Sequence, residues 1–306
     1  MILVVCLSSS WQRTLFFREF SPGEVNRATQ GLETASGKGV NVARVATQLG
    51  AKVRLLTTAG GARGVLFRKA LKADRVPATI ISTAGETRLC QTLIGCSNAP
   101  SPLITEIVEE SPALSPIEIT AFLSAYSSAL RQASMVVLIG TVPKGCGNGF
   151  YADLVRQANR LNLPVLMDAQ RDLLIQAIRE CPSLVKINRA ELAEATGTPN
   201  LARGIKELVK WGAKRIVITQ GSKPAIAFDG KDSWKITPPK INVVNSTGCG
   251  DAMMAGIAVG LMRGKTLNEA LQLGVVCGTA NSLTETAGVI RRSDVNRLLM
   301  HSGHKR

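Results

Sequence analysis

Short apolar runs alternate along most of the chain with longer segments in which apolar positions recur at helical spacing. Residues 2–7, 53–57, 78–82, 135–139, 164–168, 184–188 and 216–220 read as strands, several of them apolar throughout, the pattern of strands covered on both faces. Segments 40–49, 64–73, 116–131 and 150–161 repeat their apolar positions with a period of about 3.6 residues and read as helices. Strand and helix taken in turn predict an α/β fold with a parallel sheet. The rhythm breaks twice. Residues 14–20 and 28–34 follow one another around Ser21-Pro22-Gly23 too closely for a crossover helix, and 86–95 with 103–109 alternate like exposed strands. These four predict a small antiparallel flap outside the main sheet. Further on, 225–228 and 233–237 form a hairpin pattern, and 267–283 a helix.

The chain is organised around Asn245-Ser246-Thr247-Gly248-Cys249-Gly250-Asp251, which runs directly into the helical stretch 252–261. Two glycines around one small residue let the backbone turn sharply and present unpaired N–H groups at a helix start, where the helix dipole favours an anion. Asp251 is the odd member of such a site. It is either a carboxylate that caps the helix or one placed to take a proton from a hydroxyl attacking a phosphate. Met253 stands where G-x-G-x-x-G needs its third glycine, and no Gly-Lys-Ser/Thr follows a glycine loop, so neither a Rossmann nor a Walker site is present.

A second glycine loop, Ser36-Gly37-Lys38-Gly39-Val40-Asn41, opens the helix at 40–49. Lys38 and Asn41 either face solvent or project from the first turn toward a bound anion. Asn188, with Glu191 three residues later, is either a capping pair or a pair of oxygens near a water-bridged Mg²⁺. Asp168 ends its strand at the sheet edge where open α/β folds place chemistry. Arg88, at the entry to the flap, is either a surface residue or a guanidinium fork for phosphate.

Composition narrows the chemistry. With 306 residues and 45% hydrophobic content, the chain can bury roughly 75% of its unfolded surface in one large domain. Seven cysteines, odd in number and without a C-x-x-C, and histidines only at 301 and 304, exclude a disulfide framework, a zinc site and histidine catalysis. Acid–base work falls to a carboxylate, a lysine or the backbone. The net charge of +15 suits an anionic partner, but its basic residues are dispersed and aromatics make up only 4%, which disfavours nucleic acid. The longest apolar run, in 253–262, is broken by Gly256 and Gly260 and too short for a bilayer. Residues 1–7 lack the basic start and length of a signal peptide, so the expected location is the cytoplasm.

Taken together, Gly23-Glu24-Val25-Asn26-Arg27, Gly37-Lys38-Gly39-Val40-Asn41-Val42-Ala43-Arg44, Glu86-Thr87-Arg88, Asn188-x-x-Glu191 and Thr247-Gly248-Cys249-Gly250-Asp251 resemble, in order and over nearly the whole chain, the PfkB (ribokinase-like) sugar kinases. Within that family the chain is similar to the branch of 1-phosphofructokinases and tagatose-6-phosphate kinases. The resemblance implies one domain over 1–306, a three-layer α/β/α core with a mostly parallel sheet, and a β-sheet lid from about 12–35 and 86–110. It implies ATP with Mg²⁺ and transfer of the γ-phosphoryl to a hydroxyl of fructose 1-phosphate, tagatose 6-phosphate or fructose 6-phosphate. Asp251 would be the base and the Gly248, Cys249 and Gly250 amides the anion hole. Asn188 and Glu191 would organise Mg²⁺; Lys186, Asn188, Thr219, Gly221, Thr247 and Asn281 would line the nucleotide pocket. Lys38, Arg88 and Arg27 would hold the sugar's phosphate, with Gln12, Gly37, Gly39 and Asn41 around the sugar. A homodimer through the lid is expected, with no nucleic acid or membrane partner. The chain departs from the family where sugar should sit: Ser8-Ser9-Ser10-Trp11-Gln12 replaces Asn-Pro-Ala-(Ile/Leu)-Asp, Ser36 replaces a glycine, and Ile139-Gly140-Thr141 replaces Ser-Gly-Ser. An idle sugar-phosphate-binding homologue, and a kinase for an unphosphorylated sugar or nucleoside, are the alternatives.

Overall fold

Side chains on a strand point alternately to its two faces, and in the first strand, Ile2–Cys6, both faces are buried. Ile2, Val4 and Cys6 belong to one apolar core, while Leu3 and Val5 belong to another. Two cores on opposite sides of one sheet require a layer of helices over each. The computed structural model of the chain describes residues 1–95 and 102–302.

In chain order the strands are β1 (Ile2–Cys6), β2 (Ser10–Phe17), β3 (Gln30–Ser36), β4 (Val53–Gly60), β5 (Ala78–Thr83), β6 (Arg88–Gly95) and β7 (Leu103–Val108), followed by β8 (Met135–Ile139), β9 (Val165–Asp168), β10 (Leu184–Asn188), β11 (Ile216–Gln220), β12 (Lys223–Phe228) and β13 (Ser233–Ile236). The helices are α1 (Lys38–Gln48), α2 (Gly61–Ala73), α3 (Pro116–Leu130), α4 (Phe150–Arg160), α5 (Arg171–Ile178), α6 (Arg189–Thr196), α7 (Leu201–Trp211), α8 (Cys249–Met262), α9 (Leu267–Asn281) and α10 (Arg292–Ser302). The large sheet has the order β13-β12-β11-β10-β9-β8-β1-β4-β5. Its pairs are parallel from β5 through to β11, and antiparallel only in β11–β12 and β12–β13. Buried residues of α1, α2, α8, α9 and α10 pack on one face, and those of α3, α4, α5, α6 and α7 on the other. This is the expected three-layer α/β/α architecture.

The smaller sheet runs β3-β2-β6-β7. It departs from the expected antiparallel flap, because β2 and β6 pair in parallel along their full length. The chain passes through β3, α1, β4, α2 and β5 between them, long enough to return in the same direction, as a tight hairpin cannot. β2 also begins at Ser10, four residues ahead of the expected start, because Ser10, Trp11 and Gln12 each pair with β3 and β6. Trp11 turns into the main core. The polar run at 8–12 therefore continues into a strand of the smaller sheet.

Helices α5, α7 and α10 fall where the hydrophobic pattern gave no expectation. The last helix runs to Ser302, and 303–306 lie outside the described residues, as do 96–101 within the expected lid. The glycines that interrupt the apolar run in α8 have a packing cause. A Cβ on Gly256 would fall 2.7 Å from the Gly274 Cα of α9, so the backbones of the two helices touch. That contact seats the N-terminus of α8 firmly on the core.

Candidate active site

The carboxyl ends of β9, β10 and β11 carry Asp168, Asn188 and Thr219 to one edge of the large sheet, the N-termini of α1 and α8 open beside them, and the smaller sheet faces them through Gln12, Arg88 and Glu106. They enclose a cavity of about 610 Å³. A second cavity of about 640 Å³ shares Ile104, Thr219, Ser246 and Gly250 with it and is lined mainly by apolar groups, among them Pro238, Val243, Met253 and Val275.

Gly248 caps α8 in the left-handed region at φ 80°. A side chain there would be strained, and its Cβ would lie 3.0 Å from both Ala287 Cβ and the Gly288 nitrogen. The Cys249 amide is spent on Ser246 O at 3.3 Å, and the first bond inside the helix is Ala252 N to Gly248 O at 2.9 Å. The amides of Gly250 and Asp251 lie between those two bonds, at the positive end of the helix dipole. Of the expected trio Gly248, Cys249 and Gly250, Cys249 has its amide engaged, and burial pushes its thiol up to about 11.

Asp251 is buried in the first turn of α8, and Asn41 Nδ2 donates to its Oδ2 at 2.8 Å. The helix's N-cap, Gly248, supplies no side-chain bond. Burial raises the pKa of Asp251 to about 6, against the opposing pull of Lys38 and the Asn41 hydrogen bond. A carboxylate so placed is a base at neutral pH and holds a proton far better than an exposed aspartate.

Lys38 Nζ donates to Asp168 Oδ1 at 3.2 Å, and Lys186 Nζ to Asp168 Oδ2. Burial works against the Asp168 charge, but the two ammonium groups prevail and hold it below the usual range. Asp168 raises the pKa of Lys38 in turn and holds that ammonium as a cation at the cavity wall. A Cβ on Gly250 would lie 3.5 Å from Lys186 Nζ, which sets that ammonium against the start of α8. The sequence pointed to Asp168 only as a carboxylate ending a strand at the binding edge; its pairing with the two lysines was not foreseen.

Asn188 and Glu191 form a reciprocal capping box at the start of α6: Asn188 Oδ1 accepts from Glu191 N at 2.9 Å, and Glu191 Oε2 accepts from Asn188 N at 2.9 Å. Glu191 Oε1 accepts from Gln170 Nε2. Among the described residues no cluster of three or more histidine, cysteine or carboxylate side chains could hold a metal directly. Glu191 nonetheless lines the cavity with oxygen lone pairs in excess of its two bonds, which suits the water shell of a hard cation and not a direct ligand set.

Gln12, Gly37, Lys38, Asn41, Arg88, Lys186, Thr219 and Thr247 all line the cavity. Gln12 donates from Nε2 to Thr92 Oγ1 at 2.9 Å. Gly221 lies farther along, in the second cavity. Three expected residues stand elsewhere. Arg27 is exposed in the loop between β2 and β3 and does not line the cavity. Gly39 is buried against β1, where a Cβ would fall 2.3 Å from Cys6 Cβ, so its role is close packing. Asn281 is buried behind the turn, its Nδ2 donating to Thr247 O at 2.9 Å and its Oδ1 accepting from Gly288 N at 2.7 Å. It braces the turn and lines neither cavity.

The description of the pfkB family of carbohydrate kinases matches residues 1–290. Tagatose-6-phosphate kinase of Staphylococcus epidermidis is 30% identical over 305 residues, covering 95% of this chain and 94% of that protein. The 1-phosphofructokinase of Bacillus subtilis is 28% identical over 293 residues, covering 94% of each. Phosphofructokinase-2 from Escherichia coli, crystallised in complex with substrates and products, has a TM-score of 0.90 at 22% identity and covers 99% of both chains. A ribokinase-like fold matched end to end and a family match that runs through the turn at 247–251 lead to one conclusion: the chain belongs to the pfkB family of carbohydrate kinases.

Proposed function

We propose that this protein is an ATP-dependent phosphosugar kinase that transfers the γ-phosphoryl group to a hydroxyl of a ketohexose phosphate. The observation that carries the reading is Asp251, a buried carboxylate with its pKa raised to about 6, lining one cavity with Lys38, Lys186 and Arg88. An ionised base facing three cations is suited to an acceptor bearing a hydroxyl and a phosphate, met by a second, transferable phosphate. The named relatives act on such acceptors.

In this reading Asp251 accepts the proton of the acceptor hydroxyl as its oxygen attacks the γ-phosphorus, and ADP leaves. Asn41 fixes the carboxylate through Oδ2 and leaves Oδ1 for the hydroxyl. The Gly250 and Asp251 amides, with Lys186 beside them, receive charge developing on the moving group. Lys38 and Arg88 take the acceptor's phosphate; Gln12 bonds a sugar hydroxyl without the charge of the family's aspartate. The apolar second cavity, with Thr219 and Gly221 at its edge, suits the base of ATP. Asn188 and Glu191 would hold Mg²⁺ through its water shell, and the ion when bound neutralises charge on the phosphates. The smaller sheet, covering one side of the cavity, would serve as a lid on a single domain and as the contact of a homodimer. An ATP requirement and unpaired cysteines fit the cytoplasm.

The test is ADP release with Mg²⁺ across fructose 1-phosphate, fructose 6-phosphate, tagatose 6-phosphate, fructose, ribose and adenosine. Turnover led by one of the first three supports the proposal. Turnover led by fructose, ribose or adenosine, or ATP binding with no turnover on any, refutes it.

A further inference from the structure

Beside the main cavity, behind Arg88, lies a separate small one of about 20 Å³, lined by Ser9, Thr58, Thr83, Thr87, Arg88 and Ser111 among others. It is too small for a sugar or nucleotide and large enough for a water molecule. Nearly every side-chain hydroxyl around it is paired within the protein. Ser9 Oγ bonds Thr57 Oγ1, Thr58 Oγ1 donates to Leu7 O at 2.8 Å, Thr83 Oγ1 to Gly85 O at 3.0 Å and Thr87 Oγ1 to Gly60 O at 3.2 Å. Among the described residues, two buried side-chain polar atoms have no protein partner, Arg88 Nε and Ser111 Oγ. Both belong to residues lining this one cavity.

Neither group can readily turn away. The Arg88 guanidinium is held by Nη1 donating to Glu109 O at 3.0 Å and Nη2 donating to Ser8 O at 2.9 Å. Ser111 sits in the segment between β7 and α3, which is held just after it: Pro112 packs where a Cβ on Gly85 would be only 2.5 Å from its own Cβ, and Leu114 N donates to Lys144 O at 3.0 Å. A buried donor without a partner is costly, and two such groups on one water-sized cavity call for one shared partner.

We infer that this cavity binds an ordered water that accepts from Arg88 Nε and bonds Ser111 Oγ, making Ser111 a positioning residue for the guanidinium that faces the substrate. Water fits better than an anion, since the Glu86 carboxylate also belongs to the lining. With the two carbonyls holding the outer nitrogens, the water completes a three-point mount for Arg88. Ser111 touches no substrate; it acts by fixing the direction in which the remaining guanidinium N–H groups point. The kinetic part rests on the proposed phosphosugar reading, whereas the water site does not.

The experiment is a pair of high-resolution crystal structures of the full chain, wild type and Ser111→Ala, with kinetics of both and of Ser111→Thr. Wild type should show a density peak at hydrogen-bond distance, about 2.7–3.2 Å, from both atoms, and the alanine variant should lose it or show a displaced guanidinium. Lack of the wild-type peak, or an anomalous bromide signal there in bromide-grown crystals, overturns the water site. For Ser111→Ala the KM for the phosphosugar should rise about three- to tenfold, the effect of one hydrogen bond. Its kcat and KM for ATP should be unchanged, and Ser111→Thr should restore the lower KM. A phosphosugar KM within twofold of wild type overturns the positioning role. If no variant phosphorylates any phosphosugar, the proposed function fails, and the two structures still decide this inference.

Discussion

Asp251→Asn should make the protein more stable and nearly inactive. The Asp251 carboxyl is raised to about 6 from an ordinary 3.8 by burial, a difference of about two pH units at about 1.4 kcal/mol each, or ~3 kcal/mol. The sign follows from proton counting. Between the unfolded value near 3.8 and the folded value near 6 the native state binds the extra proton, so stability falls as pH rises through that window. Above about pH 6 the full cost of keeping the charge buried is present. Asparagine removes that charge, and its amide oxygen still accepts from Asn41. Imperfect accommodation of the new NH₂ reduces the gain to about 1–3 kcal/mol. At about 2.1 cal/mol/K of unfolding entropy per residue, a chain of 306 residues should melt about 2–5 °C higher near pH 8. The advantage should shrink toward zero near pH 4. Turnover should fall by about 10²–10⁴, the range for a positioned base, with ATP affinity unchanged. Thermal melts at both pH values and steady-state turnover check this. A lower melting temperature near pH 8, or turnover within twofold of wild type, would refute the reasoning that a strained buried base does the chemistry.

Four further outcomes follow from the geometry. The kcat/KM profile of the wild type should fall on the acid side with a midpoint near 6, the Asp251 value, and a flat profile down to about pH 5 would remove Asp251 as the titrating base. Asn281→Ala deletes two buried bonds that brace the turn, at about 1–3 kcal/mol each; denaturant unfolding should show a loss of about 2–5 kcal/mol and kcat should drop with it. Gln12→Asp should lower the sugar KM up to about fivefold, since a charged acceptor adds ~1 kcal/mol to one hydroxyl contact; an unchanged or higher KM would show that Gln12 does not meet the sugar. Asp168→Asn leaves Lys38 and Lys186 without the carboxylate they share, and the KM values for both substrates should rise about tenfold or more in steady-state assays.

The alternation of apolar runs and helical periods was enough to read the α/β/α core, because strands with two buried faces, such as β1, cannot be anything but central. What it missed had local causes. The smaller sheet's parallel β2–β6 pair joins strands far apart in the chain, and no turn signal reports such a partner. Helix α5 starts without a side-chain cap, while α7, with Asn200 capping its start and Gly212 closing it, was legible in principle. In the site, the turn at 247–251 and the Lys38 loop were visible because glycines mark backbone that must approach something closely. Membership of a motif did not say what was approached: Gly39 meets Cys6, and Asn281 meets the backbone of Thr247 and Gly288. Ser111, and the lysine partners of Asp168, were hidden for the opposite reason, being ordinary residues given meaning only by partners distant in sequence.

The central claim is that the site is built for a sugar that already carries a phosphate. It is tested most directly by the ratio of kcat/KM for the preferred ketohexose phosphate to that for the same ketohexose without phosphate, at saturating ATP and Mg²⁺. Two charged contacts, from Lys38 and Arg88, at about 1.5–3 kcal/mol each, predict a ratio of about 10²–10⁴. A ratio near one, or a preference for the unphosphorylated sugar, would contradict the account.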